Sequence, residues 1–418
     1  MASEMKCPFD DPLSPEFLQD PYPSLQLARD EYPVHYISKY GVWLVTRYAD
    51  VRAILRDDTT FTNANAHLPF FPFAEQTARY LKERNYTPSL PLTGSDGALH
   101  KRLRERVGKA LAFTPRNLAE VKRAVDDEAV TLVSSLPRES PFDIVSNLTS
   151  QFPARVIYRL IGFPEEMIGQ LLIWSSGRVK IFWSASTVDE QRSMAEGLCA
   201  YWDYCKAFVS ANVENPKDNI TGNLIRLHRE NPDSLSLNEV TTVVFGLVFA
   251  GQETTSNATA QTIYMLLKEP GRWTRLVREP SLIEKAFNET LRLTPPVAAW
   301  RRYVTRDVQI AGQPIPAGST LLLHLGSTGH DKSKFRDADN FDLDRSDGND
   351  HLAFSHGVHF CLGAPLARLE AVSLIGALLK GEPQLTLMEN QEIAVTPNFA
   401  FRGPKSVFVQ RIDAHGAV

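Results

Sequence analysis

The run Phe354-Ser355-His356-Gly357-Val358-His359-Phe360-Cys361-Leu362-Gly363 sets one cysteine between glycines, beside aromatic residues and a histidine. It lies immediately before the helix-forming stretch Ala364 to Glu370. A lone thiolate presented in this way can serve as the single protein ligand of a haem iron, pushing electron density onto the metal and favouring O–O cleavage. Gly357 and Gly363 would let the loop pass close under a flat macrocycle, where a Cβ would intrude. Backbone N–H groups aimed at the sulfur, with Phe354 shielding it from water, would tune the iron's potential. A position just before a helix also favours an anion. Two other readings of these residues stay open. One is a buried free cysteine. The other is zinc held by His356, His359 and Cys361, although that spacing matches no usual finger and no fourth ligand stands nearby.

A second constellation is Ala250-Gly251-Gln252-Glu253-Thr254-Thr255-Ser256. It sits in the middle of an apolar helix that opens at a capping box, Ser236 with Glu239, and runs to about Lys268. Some 32 residues give roughly 48 Å, long enough to cross the core. Glycine and threonine are poor helix formers, and a Thr254 hydroxyl can take the Ala250 carbonyl one turn back and bend the helix. Such an interruption marks either a functional site or a small-residue patch where another helix packs closely.

The elements that must position these groups are mainly helical. The sequence predicts a helix over 22–32, a hairpin of 34–37 and 42–46 about Lys39-Tyr40-Gly41, and a helix over 48–56. Residues 62–92 read as a long irregular loop, apolar enough to form a folded lid. Helices follow from 100 to about 210, broken at Thr114-Pro115, Pro137 and Gly162-Phe163-Pro164, and again from 236 to 293. Short strands are expected at 308–310 and 320–323, and strand-like alternation runs from 395 to 410 about Gly403-Pro404.

Bulk properties narrow the function. The chain has 418 residues, 43% of them hydrophobic, with no linker, repeat or low-complexity tract, and reads as one domain over 1–418. A net charge of −4 argues against nucleic-acid binding. Cys7, Cys199, Cys205 and Cys361 form no C-x-x-C motif and suggest no disulfide framework, which fits a reducing cytoplasm. The N-terminal residues lack an apolar signal region, and the most apolar run, 243–251, is about half of what a bilayer span needs.

The cysteine loop resembles the haem-binding loop of the cytochrome P450 superfamily. Residues 250–255 are similar to its [AG]-G-x-[DE]-T-[TS] motif. Asp96, His100 and Arg104 resemble its D-x-x-x-H-x-x-x-R pattern, and Glu289 with Arg292 its E-x-x-R pair, completed downstream by Arg345. Gly329-His330-Asp331-Lys332 departs from the family's commoner N-R-D-P.

This resemblance implies a mainly α fold with small β-sheets, a triangular helical body around a buried haem b, of the soluble bacterial kind. It implies Cys361 as the axial iron ligand, with His100, Arg104, Arg302 and His359 toward the propionates. Ala250 and Gly251 would leave room for O2 and substrate. Thr254 and Glu253 would deliver protons, and Glu289, Arg292 and Arg345 would form a structural clamp. The function implied is insertion of one oxygen atom from O2 into a medium-sized hydrophobic molecule. Dealkylation, coupling, epoxidation, a peroxide-driven reaction and a non-catalytic haem protein are the other possibilities. No flavin or dinucleotide fingerprint follows the loop, so a separate ferredoxin or flavodoxin with its NAD(P)H reductase is expected. It would dock by charge on the basic stretch 101–123. Substrate contacts are expected from 66–92, Phe182, Leu247, Gly251, Val297, Ala298, and Phe399 to Phe401, notably Phe401.

Overall fold

The computed structural model describes residues 11–412 apart from Ser176, Pro397 and Phe399. Cys7, and Phe399 at the expected pocket, therefore lie outside the described residues. Local chemistry sets most element ends. Thr114 accepts from the Asn117 N–H and caps the helix Pro115–Ser134, whose first position is proline. The helix Phe152–Ile161 ends at Gly162, with φ of 93° in the left-handed region. The expected box of Ser236 and Glu239 forms in both directions and opens the helix Leu237–Leu267.

That 31-residue helix ties the molecule together. Val240, Val244, Phe245 and Val248 pack with Tyr201, Trp202 and Leu224 in one core. Further along, Ile263, Leu266 and Leu267 enter a second core with Trp273, Leu374 and Leu378. The helix stays α-helical across Gly251 and Thr254.

Ten strands are present among the described residues: β1 (Val34–Ile37), β2 (Val42–Val45), β3 (Phe61–Thr62), β4 (Phe142–Asp143), β5 (Trp300–Val304), β6 (Val308–Ile310), β7 (Gln313–Ile315), β8 (Thr320–Leu323), β9 (Leu385–Leu387) and β10 (Phe408–Arg411). They form sheets in the orders β1-β2-β8-β5-β3, β4-β10-β9 and β6-β7. In the largest sheet β5 runs antiparallel to β8, with Arg301 opposite Leu322 and Arg302 opposite Leu321. Neighbouring side chains on a strand point to opposite faces, so these two arginines serve different sides of the sheet.

Three expectations change. Residues 62–92 contain a helix, Glu75–Glu83, which buries Thr77 and Leu81 four residues apart and is hidden in the sequence by its proline- and aromatic-rich flanks. The strand β5 is masked in the sequence by two arginines, and its pairing with β8 decides it. Of 395–410, only Phe408–Arg411 forms a strand with its full ladder; the rest contributes the isolated bridges Val395 to Pro404 and Val297 to Phe401. Among the described residues no helix is long and apolar enough to cross a membrane.

Candidate functional site

Cys361 is held by a closed loop. Its N–H donates to the Phe354 carbonyl at 2.9 Å, and the ring of Phe354 lies beneath the Arg368 guanidinium, 4.8 Å from the ring centre. The backbone N–H groups of Gly363 and Ala364 donate to the sulfur. Burial pushes the thiol pKa up, while those two donors and the charges of Arg104 and Arg368 act in the opposite direction. Yet Cys361 retains accessible surface. The thiol is thus desolvated by the protein around it while part of the residue's surface stays open.

The two loop glycines have different reasons. Gly357 has φ of 72°, and a Cβ there would lie 2.7 Å from the Leu55 carbonyl oxygen. It makes a tight turn against the helix Tyr48–Arg56, backbone geometry that a Cβ would forbid. At Gly363 φ is negative, and the only neighbour a Cβ would meet is the Cys361 sulfur at 3.7 Å. A Cβ at 363 would therefore stand in ordinary contact with the sulfur, on the side where a group bound to it would lie close.

The helix Gly97–Leu111 brings His100 and Arg104 beside this loop, and Arg104 Nη2 donates to the Phe360 carbonyl at 2.8 Å. The Nε2 of His100 is buried with no hydrogen-bond partner, and burial, then the nearby His359 and Arg104, push its pKa down to about 4. Arg302 is 2% exposed, donates only to the Arg301 carbonyl, and has no carboxylate within ion-pair distance. Burial lowers its pKa to about 10, against the opposing charge of Asp96. Buried cationic and donor groups without acids are costly unless anions meet them. The set therefore fits the two propionates of a haem, and the sulfur fits its iron. The ring of His359 lies 4.0 Å from that of His100, and its Nε2 is 2.7 Å from Asn63 Nδ2 and 3.6 Å from Asp96 Oδ1. Through Nε2 it fastens the loop to Asp96 and Asn63, while its ring stays beside His100 in the group expected at the propionates. The zinc reading fails, since the described residues contain no cluster of three His, Cys, Asp or Glu side chains able to hold a metal.

On the long helix, Ala250 is exposed and Leu247 is partly so, although both lie mid-helix. Thr254 Oγ1 donates to the Ala250 carbonyl at 2.7 Å. Glu253 has no hydrogen bond or ion pair among the described residues, and burial pushes its pKa up to about 7. Gly251 does not open the pocket as expected. A Cβ there would lie 2.9 Å from Ile157 Cγ1, so this glycine admits the helix Phe152–Ile161 instead. Phe182 and Val297 pack around a cluster containing Trp183, Ala299, Ala400 and Phe401, whereas Leu247 packs with the core around Phe245. Ala298 is buried and donates its N–H to the Ala400 carbonyl at 2.7 Å.

Glu289, Arg292 and Arg345 converge as expected. Glu289 Oε1 accepts from Arg292 Nη2 at 2.7 Å and Arg345 Nε at 2.9 Å, and Oε2 accepts from Arg292 Nε at 2.8 Å. Sequence reasoning does not single out Glu370. It is buried on the helix Ala364–Gly381, shares a hydrogen bond with Thr255 of the long helix, and has its pKa raised well above the usual range by burial. The signal was a lone carboxylate on the apolar stripe Leu366, Leu374, Leu378. Arg301 is the second omission.

Comparison with known proteins gives concordant results. The family model described as Cytochrome P450 matches residues 192–381. The chain is 33% identical over 380 residues to the Vitamin D(3) 25-hydroxylase of Pseudonocardia autotrophica, covering 90% of each. Among solved structures it is similar to cytochrome P450 CREJ in complex with (4-ethylphenyl) dihydrogen phosphate. There the TM-score is 0.91 and the identity 30%, over 94% of this chain and 98% of that one. It also resembles an intact type IV self-sufficient cytochrome P450 monooxygenase, with a TM-score of 0.93 and 31% identity, over 97% of this chain and 53% of that one.

Proposed function

The chain belongs to the cytochrome P450 family of haem-thiolate monooxygenases, and from that premise we propose that it inserts one oxygen atom of O2 into a medium-sized, largely hydrophobic molecule. Two electrons would come from a separate ferredoxin or flavodoxin with its NAD(P)H reductase. The balance is substrate, O2, two electrons and two protons in, and oxygenated product and water out. The observation that carries this reading is Cys361, whose sulfur accepts two backbone N–H bonds while the residue keeps accessible surface, in a chain that also carries Glu253 and Thr254 on the core helix, within one turn of the exposed Ala250.

Haem b, when bound, supplies the iron at which O2 is reduced and cleaved. The chain's own groups do the rest. The Gly363 and Ala364 donors hold charge on the sulfur, and Phe354 closes its loop. His100, Arg104 and Arg302 would take the propionates. Ala250 keeps a short side chain where the helix is exposed. Thr254 holds a proton at Oγ1, and Glu253, with a pKa near neutrality, can take a proton from solvent and pass it on.

The aromatic cluster of Phe182, Trp183 and Phe401 would suit a hydrophobic ligand packed against it. The CREJ neighbour, with its aromatic phosphate ester, shows one form such a ligand takes in a relative.

The test is spectroscopic. The purified protein, reduced under carbon monoxide, should give the red-shifted thiolate Soret band, and Cys361→Ser should lose it. A protein that refuses haem, or whose iron is ligated by nitrogen, ends this reading.

A further inference from the structure

Arg301 is buried, 4% exposed, and among the described residues no carboxylate stands within ion-pair distance of it. Its Nη2 donates to the carbonyls of Ala66, at 3.3 Å, and Leu68. Its Nε is buried without any partner. The guanidinium lies 4.4 Å from the centre of the Trp183 ring and 5.5 Å from that of Phe70. Burial pulls its pKa down to about 10, which leaves it charged at neutral pH. Two carbonyl dipoles and two aromatic faces soften a buried cation, but they do not supply the anion it lacks.

Position says where that anion would come from. Arg302, its neighbour on β5, points the other way, toward the groups that suit haem propionates. Arg301 shares its sheet face with Leu322, which packs with Trp183, Ala299, Ala400 and Phe401. That is the aromatic wall assigned above to the substrate. Adjacent residues of one strand thus hold two buried cations, one facing the cofactor side and one facing the substrate side.

We propose that Arg301 is the residue that recognises an oxyanion group, carboxylate or phosphate, on an otherwise apolar substrate whose body lies against Trp183 and Phe401. This rests on the monooxygenase reading and adds the substrate class to it. The guanidinium carries Nε, which is unpartnered, beside Nη2, which holds the Ala66 and Leu68 carbonyls, and this edge is the one that takes two oxygens of one anion. Release of Leu68, an exposed residue of the 62–73 segment, would let the head group reach them.

The experiment uses the haem-loaded protein and three probes of one shape: 4-butylbenzoate, 4-butylphenyl phosphate and neutral 4-butylnitrobenzene. Binding is measured by calorimetry and by displacement of the Soret band. The wild type should bind at least one of the two anions about 10-fold or more tighter than the neutral probe, and which one identifies the head group. Arg301→Gln should abolish that preference while changing the neutral probe's affinity by less than about 3-fold, and Arg301→Lys should restore part of it. The proposal is overturned if the wild type binds neither anion more tightly than the neutral probe. It is equally overturned if Arg301→Gln weakens all three alike, for then Arg301 only pins the 62–73 segment. Should Arg301→Gln fail to fold, the wild-type preference and Arg301→Lys still decide. A missing thiolate band in the wild type would instead indict the family reading.

Discussion

Thr254 Oγ1 rests 2.7 Å from the carbonyl oxygen of Ala250, one turn back on the same helix. The hydroxyl proton is therefore committed to the helix until the side chain turns about χ1. Bonding of this kind is worth little to a helix and slightly disfavours it. Its value here is to place a hydroxyl beside Ala250, where the helix is exposed. Thr254→Ala should leave the fold and the thiolate band intact but divert NADPH into peroxide and water, with product per NADPH falling several-fold. Thr254→Ser should retain most of the coupling. Simultaneous measurement of NADPH, peroxide and product checks this, and unchanged coupling in the alanine variant removes the role.

Glu253 gives a prediction with a definite sign. Its carboxyl is pushed up from 4.5 to about 7 by burial alone. Between those values the folded protein keeps a proton that the unfolded chain has released, so raising the pH through this window costs stability. The cost is at most about 3 kcal/mol. Glu253→Gln cannot ionise and escapes it. The thermal midpoint of the variant, relative to wild type, should therefore rise from pH 5 to pH 8. Its turnover should fall by about 100-fold, since an amide cannot relay a proton. A midpoint difference that is flat with pH would show that Glu253 is not held neutral.

What the sequence disclosed, and what it hid, follows from the range of the interactions. The capping box at Ser236 and the break at Gly162 are local, and both stand as the spacing predicts. The pair Glu289 and Arg292 is local, but Arg345 was legible only through resemblance, because it stands 56 residues from Glu289. Gly251 and Gly357 were visible as glycines, but the atoms that demand them, Ile157 Cγ1 and the Leu55 carbonyl, belong to distant helices. His359 has neighbours the sequence does not show, Asp96 and Asn63, both met through Nε2. The departure at Gly329-His330 is likewise explained in three dimensions: His330 meets Asp339 through Nδ1 and the Leu293 carbonyl through Nε2, both at 3.0 Å. Arg301 was hidden because burial without a counter-charge cannot be read from a sequence.

The basic helix Gly97–Leu111 packs beside the cysteine loop, through Arg104 on Phe360. The charge of this helix and of the next, Pro115–Ser134, is weaker than composition suggests. Arg102 pairs with Glu239 at 2.6 Å, Lys109 with Glu230 at 3.6 Å, Arg116 with Glu120 at 3.9 Å, and Lys122 with Asp126. Lys101 and Arg123 are exposed and carry no ion pair among the described residues. If an acidic ferredoxin docks here, the double variant Lys101→Glu with Arg123→Glu should lower ferredoxin-supported turnover about 10-fold, with the thiolate band unchanged. Turnover by the wild type should drop steeply between low and high salt, since exposed charges are screened beyond about 10 Å at 0.1 M. Salt-insensitive turnover would place the docking surface elsewhere.

The Glu289 and Arg292 side chains are 1% and 0% exposed, the most completely buried ion pair of the described residues. A pair this deep is poor evidence of stability by itself, because desolvating two charges offsets most of their attraction. What makes it matter is that the guanidinium also binds the chain. Arg292 donates to the carbonyls of Gly329, Ala338 and Asn340, and Arg345 to those of Arg336 and Asp337. Residues 329–345 form no regular sheet or long helix, so these donors stand where a ladder would. Arg292→Ala removes the donors and leaves Glu289 buried with only Arg345 and the Asp342 N–H as partners, at a cost of about 3–5 kcal/mol. That is a large part of a typical folding free energy. The variant should therefore yield little folded protein and no thiolate band. Arg292→Lys keeps the charge but not the planar fork, and should also fail to restore the fold. Recovery of wild-type midpoint by the lysine variant would mean that charge alone, and not the carbonyl bonds, holds this segment.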